Sequence, residues 1–382
     1  DGIWTITART ANGSNVFNGS GDGLITVSVT YAAGSVDTKV YCTDGGGLEE
    51  MKTSFAGETL TWSTPHLSTF QAVTLGPDDQ CAWNTAGGST GQGTLAAALE
   101  ALDDVGGTIL LAQDATLDNA RYTISKPITI TGAGAVTATP AAGETTVAFT
   151  LTDTGGLILD GQGVTLTVQG AKNADESKGN DGTAFSVTNG SVLTVRNGAT
   201  LALQDLERGL IAPATPSGSL PVSAEITVDN ATLTADGIDG NFSNGGWYTF
   251  ENGAQVTLEN CGSHALSANR VTVEDSQLTI RGAGYRGISI NDAQGKLSIE
   301  GASVVTIADC GEKKLNDAYL EAVRLADGAD FCLGSGSRLS LTGENTTIAL
   351  GTSGELVIEG EVEGGAFTGV IAVIGRTGYA TL

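Results

Sequence analysis

The sequence predicts an all-β protein in which a small antiparallel unit precedes a long solenoid of three-faced coils. Glycine makes up 55 of 382 residues, about twice its ordinary share, and this composition favours short strands joined by tight turns. The phrase VTVEDSQLTIRGAG at 271–284 returns in altered form at 193–205, 226–237 and 297–311. Such self-similarity predicts that equivalent strands stack upon one another.

The ends of the repeated strands predict the corners of the coils. Each strand ends in a hydrophobe, a variable residue and then a residue that tolerates tight or left-handed turns. Five such pairs are Leu151/Asp153, Val187/Asn189, Phe250/Asn252, Ile290/Asp292 and Leu325/Asp327. Eight or nine residues later follow Leu159/Gly161, Val195/Asn197, Leu258/Asn260, Ile299/Gly301 and Leu333/Ser335. A period near two dozen residues, cut into pieces of about eight, describes a three-faced coil.

Four stretches interrupt this rhythm, at 171–182, 206–225, 236–248 and 310–322. Insertions in a solenoid form loops, which often lie on the binding face. We therefore expect ligand contacts to come from these stretches.

Residues 1–75 contain several short strand-like runs separated by Gly, Asn and Asp, a pattern that predicts a small antiparallel β-sandwich. The stretches ITVSVTY, KVYCTDGGGLEEMKTSF and PHLSTFQAV resemble a β-sandwich module that is common in surface proteins of Gram-positive bacteria. The resemblance covers about 50 residues and implies an extracellular, cell-wall or cell-surface location.

A glycine-rich linker is predicted at 76–93, followed by a helix and then the solenoid over 94–382. The helix has Leu95, Ala98, Leu99 and Leu102 on one face, with Thr94 able to cap its start. A short helix, a glycine break and the continuation YTISKPITITGAG resemble the start of a right-handed parallel β-helix of the pectate-lyase-like superfamily. The resemblance implies that the helix is the N-terminal cap of this β-helix.

The net charge of −25 disfavours nucleic acid and anionic membrane surfaces as partners. The sequence has no apolar stretch long enough to cross a membrane, so we expect no membrane insertion. No export signal is visible, and we expect the chain to be a mature fragment of a longer protein. The five cysteines include no CxxC pair; we expect buried thiols, with a Cys42–Cys81 disulfide as the alternative.

The stretch DGIDGNFSNGGWY and the scarce aromatic residues supply the candidate ligand-binding residues. Asp236, Asp239 and Asn241 offer oxygen ligands for calcium, although an ordinary turn rich in Asx and Gly explains them as well. No other cofactor is indicated. Four aromatic residues precede equivalent strand ends by a few positions: Trp247, Tyr248, Tyr285 and Tyr319. Stacked coils would align their rings beside Arg286 and Asp239, where the rings could hold a sugar. The alternative is that these rings cover a loop.

Enzymatic signatures are weak. The Gly-His-Gly and Arg-x-Lys motifs of hydrolases in the resembled superfamily are missing from the sequence. The acid pairs Asp78–Asp79 and Asp103–Asp104 fit solvated turns, and Cys261 beside His264 fits a structural pair better than a nucleophile. No catalytic residue is assigned.

These observations favour a non-enzymatic, adhesin-like protein that recognises an extracellular glycan or host surface ligand through loops on one face of the solenoid. A polysaccharide lyase or glycoside hydrolase that uses the acids of 236–241 is the first alternative, and a structural stalk is the second.

Overall fold

The computed structural model describes residues 2–5, 25–31, 38–42, 49–64, 69–142, 146–170, 180–188, 190–212, 224–311, 314–315, 318–319 and 321–368. Predictions that concern His66 or Asn189 lie outside these residues. Strands dominate the described part, which contains one helix.

The N-terminal residues form one six-stranded antiparallel sheet. Its strands are β1 Gly2–Thr5, β2 Ile25–Thr30, β3 Lys39–Cys42, β4 Glu49–Ala56, β5 Thr59–Thr64 and β6 Thr69–Val73, in the order β1-β6-β3-β4-β5-β2. The sheet has a hydrophobic core of its own, in which the rings of Trp62 and Phe70 lie 5.3 Å apart between centroids. The antiparallel unit is therefore present. No disulfide joins Cys42 to Cys81, so the alternative of a disulfide between them is wrong.

A hairpin and the helix connect this sheet to the parallel strands. The hairpin strands β7 Cys81–Thr85 and β8 Thr90–Gly93 lie within the segment suggested as a linker, and β7 also pairs antiparallel with β9 Gly107–Leu111. Helix α1 spans Leu95–Leu102, and the Thr94 hydroxyl accepts the N–H of Ala97 at 3.3 Å. The four apolar residues predicted to share one face of α1 are all buried, so this face lies against the first parallel strands.

The remaining strands follow one another at short intervals along the chain. They are β10 Ala115–Ala120, β11 Tyr122–Ile124, β12 Pro127–Pro140, β13 Val147–Leu151, β14 Gly156–Gln169, β15 Thr183–Val187, β16 Val192–Arg196, β17 Thr200–Gln204, β18 Arg208–Ile211, β19 Glu225–Asp229, β20 Thr232–Ile238, β21 Ser243–Asn244, β22 Trp247–Glu251, β23 Gln255–Cys261, β24 Leu266–Ala268, β25 Arg270–Glu274, β26 Gln277–Arg281, β27 Ile288–Ile290, β28 Lys296–Glu300, β29 Val304–Ala308, β30 Lys314–Leu315, β31 Ala318–Tyr319, β32 Val323–Leu325, β33 Asp330–Leu333, β34 Arg338–Thr342, β35 Thr347–Ala349, β36 Leu356–Ile358, β37 Glu361–Glu363 and β38 Ala366–Thr368.

Equivalent strands of successive repeats pair in parallel and form three stacks. Stack A contains β16, β19, β22, β25, β28, β33 and β36, and stack B contains β17, β20, β23, β26, β29, β34 and β37. Stack C contains two sheets, β11-β13-β15-β18-β21 and β24-β27-β32-β35-β38. The long strands β12 and β14 contribute to both A and B. Within the described residues of the insertions, only β30 and β31 pair antiparallel. The arrangement is consistent with a β-helix-like solenoid.

The interior follows from the alternation of side chains along each strand. In β25 the pattern is exposed, buried, half-buried, buried, exposed, so that Val271 and Val273 point inward. Equivalent inward residues then stack, as do the rings of Tyr122, Phe149 and Phe185 at centroid distances of 5.9 and 5.3 Å. One continuous core results.

Several predicted corner residues adopt the left-handed backbone expected of them. Asp153, Asn197, Asn252 and Asn260 have φ between 52° and 58°. Asp292 and Asp327 do not; their carboxylates instead accept backbone N–H groups of Gln294 and Thr352, each at 3.0 Å. At the second of these corners the left-handed residue is the following Gly328, with φ 87°, whereas the corner at Asp292 is held by its side-chain hydrogen bond.

At the corner after stack B, left-handed residues alternate between Asx and glycine from coil to coil: Asp205, Gly237, Asn260, Gly282, Asp309 and Gly343. A Cβ atom on Gly237 would lie 3.0 Å from Asp205 Oδ1, and one on Gly282 would lie 3.2 Å from Asn260 Oδ1. The Asx side chain of one coil therefore occupies the space over the glycine of the next.

Corner Asn residues also bond the neighbouring coil, which gives a test of their role. Asn252 has φ 56° and donates from Nδ2 to Asp229 Oδ1 at 2.8 Å. Asn252→Ala loses this bond and strains the backbone, so we expect it to lower the unfolding free energy by about 1–2 kcal/mol. Asn252→Gly loses only the bond and should cost less than half as much. Urea unfolding of both variants measures the difference; an equal loss would contradict the requirement for left-handed backbone.

Candidate functional site

Four polar residues of stack C lie on successive coils because backbone hydrogen bonds fix their register. The N–H of Phe242 bonds to the carbonyl of His264, and the N–H of Ala265 bonds to the carbonyl of Arg286 at 3.0 Å. The N–H of Gly287 bonds to the carbonyl of Ala322 at 2.9 Å. We call the resulting row of outward residues the polar column; its members are Asn241, His264, Arg286 and Glu321.

Side chains along the polar column contact one another directly. Asn241 Oδ1 accepts the backbone N–H of His264 at 3.1 Å. The His264 and Tyr285 rings pack at a centroid distance of 5.6 Å with a tilt of 47°. The Nε and Nη2 atoms of Arg286 both donate to Glu321 Oε2, at 3.1 and 2.9 Å. These contacts restrict the orientation of each group.

The electrostatics of the column are set by burial together with two arginines. Burial lowers the pKa of His264 to about 4, and the charges of Arg286 and Arg324 act in the same direction. His264 is therefore neutral at pH 7. Burial acts to raise the pKa of Glu321, but a backbone hydrogen bond and Arg286 outweigh it, and the net pKa is lowered. Arg324 is exposed and forms no ion pair with a described residue, so its guanidinium is available to a ligand.

The structure brings together only part of the predicted aromatic row. Trp247 lies at the start of β22 in stack A, where the Arg270 guanidinium sits 4.7 Å from its ring centroid. Tyr248 is 1 % exposed and belongs to the core, so the prediction that it presents a ring to a ligand is wrong. Alternation along β22 explains the difference, since Tyr248 shares the inward face with Phe250. The side chain of Tyr319 lies outside the described residues.

The candidate calcium residues are directed at protein donors. Asp236 Oδ1 accepts from Asn260 Nδ2 at 2.7 Å, and the Asp239 carboxylate accepts the backbone N–H of Asn180. Asn241 is used by His264, as described above. In the part of the chain that the structure describes, no three His, Cys, Asp or Glu side chains are grouped as a metal site would require. Calcium binding remains an untested prediction.

The other catalytic candidates have structural roles. Asp103 Oδ1 accepts the backbone N–H of Ser125 at 3.1 Å and so fixes the end of α1. Burial raises the pKa of the Cys261 thiol to about 12, and its Sγ lies 3.8 Å from the carbonyl of Glu259. A thiol with such a pKa is not a nucleophile at neutral pH, which agrees with a structural Cys261–His264 pair.

Sequence reasoning missed Glu321, which completes the polar column, and Arg324, which lies three residues after it. Glu321 lies within the insertion 310–322 and Arg324 lies two residues beyond it, and this insertion breaks the spacing between equivalent strands. Their position follows from the pairing of Ile288 with Val323 in the structure, which places Glu321 beside Arg286.

Comparison with known proteins gives no assignment. No protein-family model, no curated protein and no solved structure matches the chain. None of the described helical residues forms a helix long and apolar enough to cross a membrane.

The chain has two histidines, so the imidazole of His264 is easy to follow by NMR. In a His66→Gln variant the remaining imidazole should titrate at a pKa of about 4, against about 6.5 for an ordinary histidine. Adding Arg324→Gln removes one positive charge and should raise this pKa. A His264 pKa at the ordinary value, unchanged by the Arg324 substitution, would contradict the described contacts.

A lowered histidine pKa also predicts how stability depends on pH. His264 binds a proton more readily in the unfolded chain than in the folded chain. Its contribution to the unfolding free energy is therefore complete above a pH of about 6.5 and is lost as the pH falls towards about 4. Urea unfolding at pH 7 and pH 5 should show a smaller loss of unfolding free energy for His264→Asn than for the natural chain. The idea fails if both lose the same amount.

Proposed function

We propose that this protein is a non-enzymatic, adhesin-like recognition protein of the bacterial cell surface or secreted space. Its ligand is an extracellular glycan or host surface ligand, bound at the polar column and its adjoining loops. The proposal includes the finer fold: a right-handed parallel β-helix of the pectate-lyase-like type with α1 as cap, preceded by a small antiparallel β-sandwich. The extracellular location is supported by the resemblance of residues 1–75 to surface modules.

The single observation that carries the proposal is the polar column with its aromatic neighbour. Tyr285 is half-buried, and its ring packs against the ring of His264. A tyrosine ring held in this way is suited to stacking under a sugar ring. Arg324 offers guanidinium donors, and Arg286 is held in place by Glu321. Convergent polar groups beside an aromatic ring on a rigid support are typical of carbohydrate sites.

The same geometry supports binding over catalysis. Glycoside hydrolysis uses two carboxyl groups, about 5–5.5 Å or about 6.5–9.5 Å apart. The polar column contains one carboxylate, Glu321, and its pKa is lowered rather than raised as a general acid requires. The acids that a lyase or hydrolase would take from 236–241 are bonded to Asn260 and Asn180.

Glycan-array binding of three variants tests the proposal. Tyr285→Ala and Arg324→Gln should each weaken binding by about tenfold or more, because each removes a direct contact. Trp247→Ala, on stack A, is the matched control and should bind as the natural chain does. Loss of binding in the Trp247 variant alone would place the ligand on stack A and refute the polar column.

Two further outcomes would reject recognition altogether. Unsaturated or reducing ends released from polygalacturonate, host glycans or plant fibre, with or without calcium, would indicate the lyase or hydrolase. If the natural chain binds no glycan and no host surface, the role of a structural stalk is the alternative that fits.

A further inference from the structure

Stack B presents a regular row of outward hydroxyl groups. On six consecutive strands, β14, β17, β20, β23, β26 and β29, the central outward residue is paired in register with the next. Five of the six residues are threonine; the row is Thr167, Ala202, Thr234, Thr257, Thr279 and Thr306. Thr137 and Ser340 continue the row at its two ends.

A second row lies beside the first, two residues earlier on each strand. It contains Thr165, Thr200, Thr232, Gln255, Gln277 and Val304. We call the two rows together the hydroxyl stripe. Neighbouring strands are about 4.8 Å apart and residues i and i+2 about 6.7 Å apart, so the stripe is a flat grid roughly 24 Å long.

The two rows of the hydroxyl stripe contain no charged residue, although the chain carries a net charge of −25. Charged residues begin in the next row, two residues later on the same strands, which includes Asp236, Glu259 and Arg281. Stack A shows that this is not a general property of the coils. There charged residues lie on both sides of the central row of Thr194, Thr227, Thr249 and Thr272. The row before it includes Glu225, Arg270 and Lys296, and the row after it contains Asp229, Glu251, Glu274 and Glu300. A stripe without charge beside a strongly acidic surface favours an uncharged partner.

The groups of the stripe are available to a partner. No threonine hydroxyl of the stripe forms a hydrogen bond with the residues that the structure describes. Val304 is 39 % exposed, one of two large hydrophobic residues with this exposure in the described chain. Threonine and valine are stiff at χ1, so little side-chain entropy is lost when a ligand orders them.

We propose that the hydroxyl stripe binds the flat surface of an ordered, uncharged polysaccharide. Sugar hydroxyls bond to the free threonine hydroxyls, and the sugar rings cover the threonine methyl groups and Val304. The fixed spacing of the coils favours an ordered polymer over a single sugar, because many weak contacts then form together. This surface is separate from the polar column, which lies on stack C.

The area of the stripe argues against a second copy of this chain as the occupant. Its two rows cover roughly 300 Å², whereas a standard protein interface buries roughly 800 Å² on each partner. Repulsion between two chains of charge −25 adds to this difficulty.

Depletion from solution by microcrystalline cellulose and by chitin tests the proposal. Thr257→Lys/Thr279→Lys places long charged side chains on the stripe and should reduce the bound fraction by about tenfold or more. The matched control is Thr249→Lys/Thr272→Lys, which makes the same changes at half-buried central positions of stack A and should leave binding unchanged. Equal melting temperatures of the two double variants establish that both fold.

A third variant isolates the hydroxyl groups. Thr257→Val/Thr279→Val keeps the shape and removes two hydroxyls, and it should weaken binding several-fold. Unchanged depletion by the valine variant, or equal loss in the stack A control, would overturn the proposal. The proposal is also overturned if neither polysaccharide depletes the natural chain from solution. A stripe variant that changes only the molecular mass measured by light scattering would overturn it too, because this result would indicate that a second copy of the chain binds the stripe.

The depletion experiment tests the hydroxyl stripe separately from the glycan site proposed at the polar column. Tyr285→Ala should still be depleted by the insoluble polysaccharides if the stripe binds them. If Tyr285→Ala abolishes depletion while Thr257→Lys/Thr279→Lys does not, the binding belongs to the polar column and the stripe has no role.

Discussion

The parallel pairing of each strand with its equivalent in the next repeat is the constraint on which the rest of the structure depends. Glu225 pairs with Trp247, and Trp247 with Arg270, so residues more than 20 positions apart in sequence become neighbours at about 4.8 Å. Once this register is fixed, every side chain stacks on its counterpart. Core rings, corner amides and outward threonines are all arranged by the same backbone hydrogen bonds.

Stacking of carboxylates on successive coils carries an electrostatic cost, and this cost is offset by a positive charge at some positions but not at others. On stack A, burial raises the pKa of Glu251, and the neighbouring carboxylates of Asp229 and Glu274 raise it further. Nearer the start of the stack, Asp160 is 1 % exposed, but Arg196 Nη2 lies 2.7 Å from its carboxylate and Asn197 donates to its other oxygen. A buried charge is tolerated there because each of its oxygens has a partner.

The three stacks therefore differ in chemistry although they share one geometry. Stack A carries charged residues on both sides of its threonine row. Stack B carries the hydroxyl stripe beside a row that includes Asp236, Glu259 and Arg281, and stack C carries a pair of arginines beside a neutral histidine. A solenoid can vary each face independently because outward residues contribute little to the core. Both proposed binding surfaces exploit this freedom, one with a polar cluster beside loops and the other with a repeated flat grid.

The sequence alone determined the strands, the helix and many of the corners, since these depend on local properties: alternation, a capping threonine, and residues that accept a left-handed backbone, such as Asn252 and Asn260. It also contained the reason that Tyr248 is buried, because Tyr248 and Phe250 share one face of a strand. Only the tertiary structure decided that Trp247 and Tyr285 lie on different stacks, and that His264, Arg286 and Glu321 meet. Insertions of unequal length separate these residues, and only the pairing of distant strands determines which of them become neighbours.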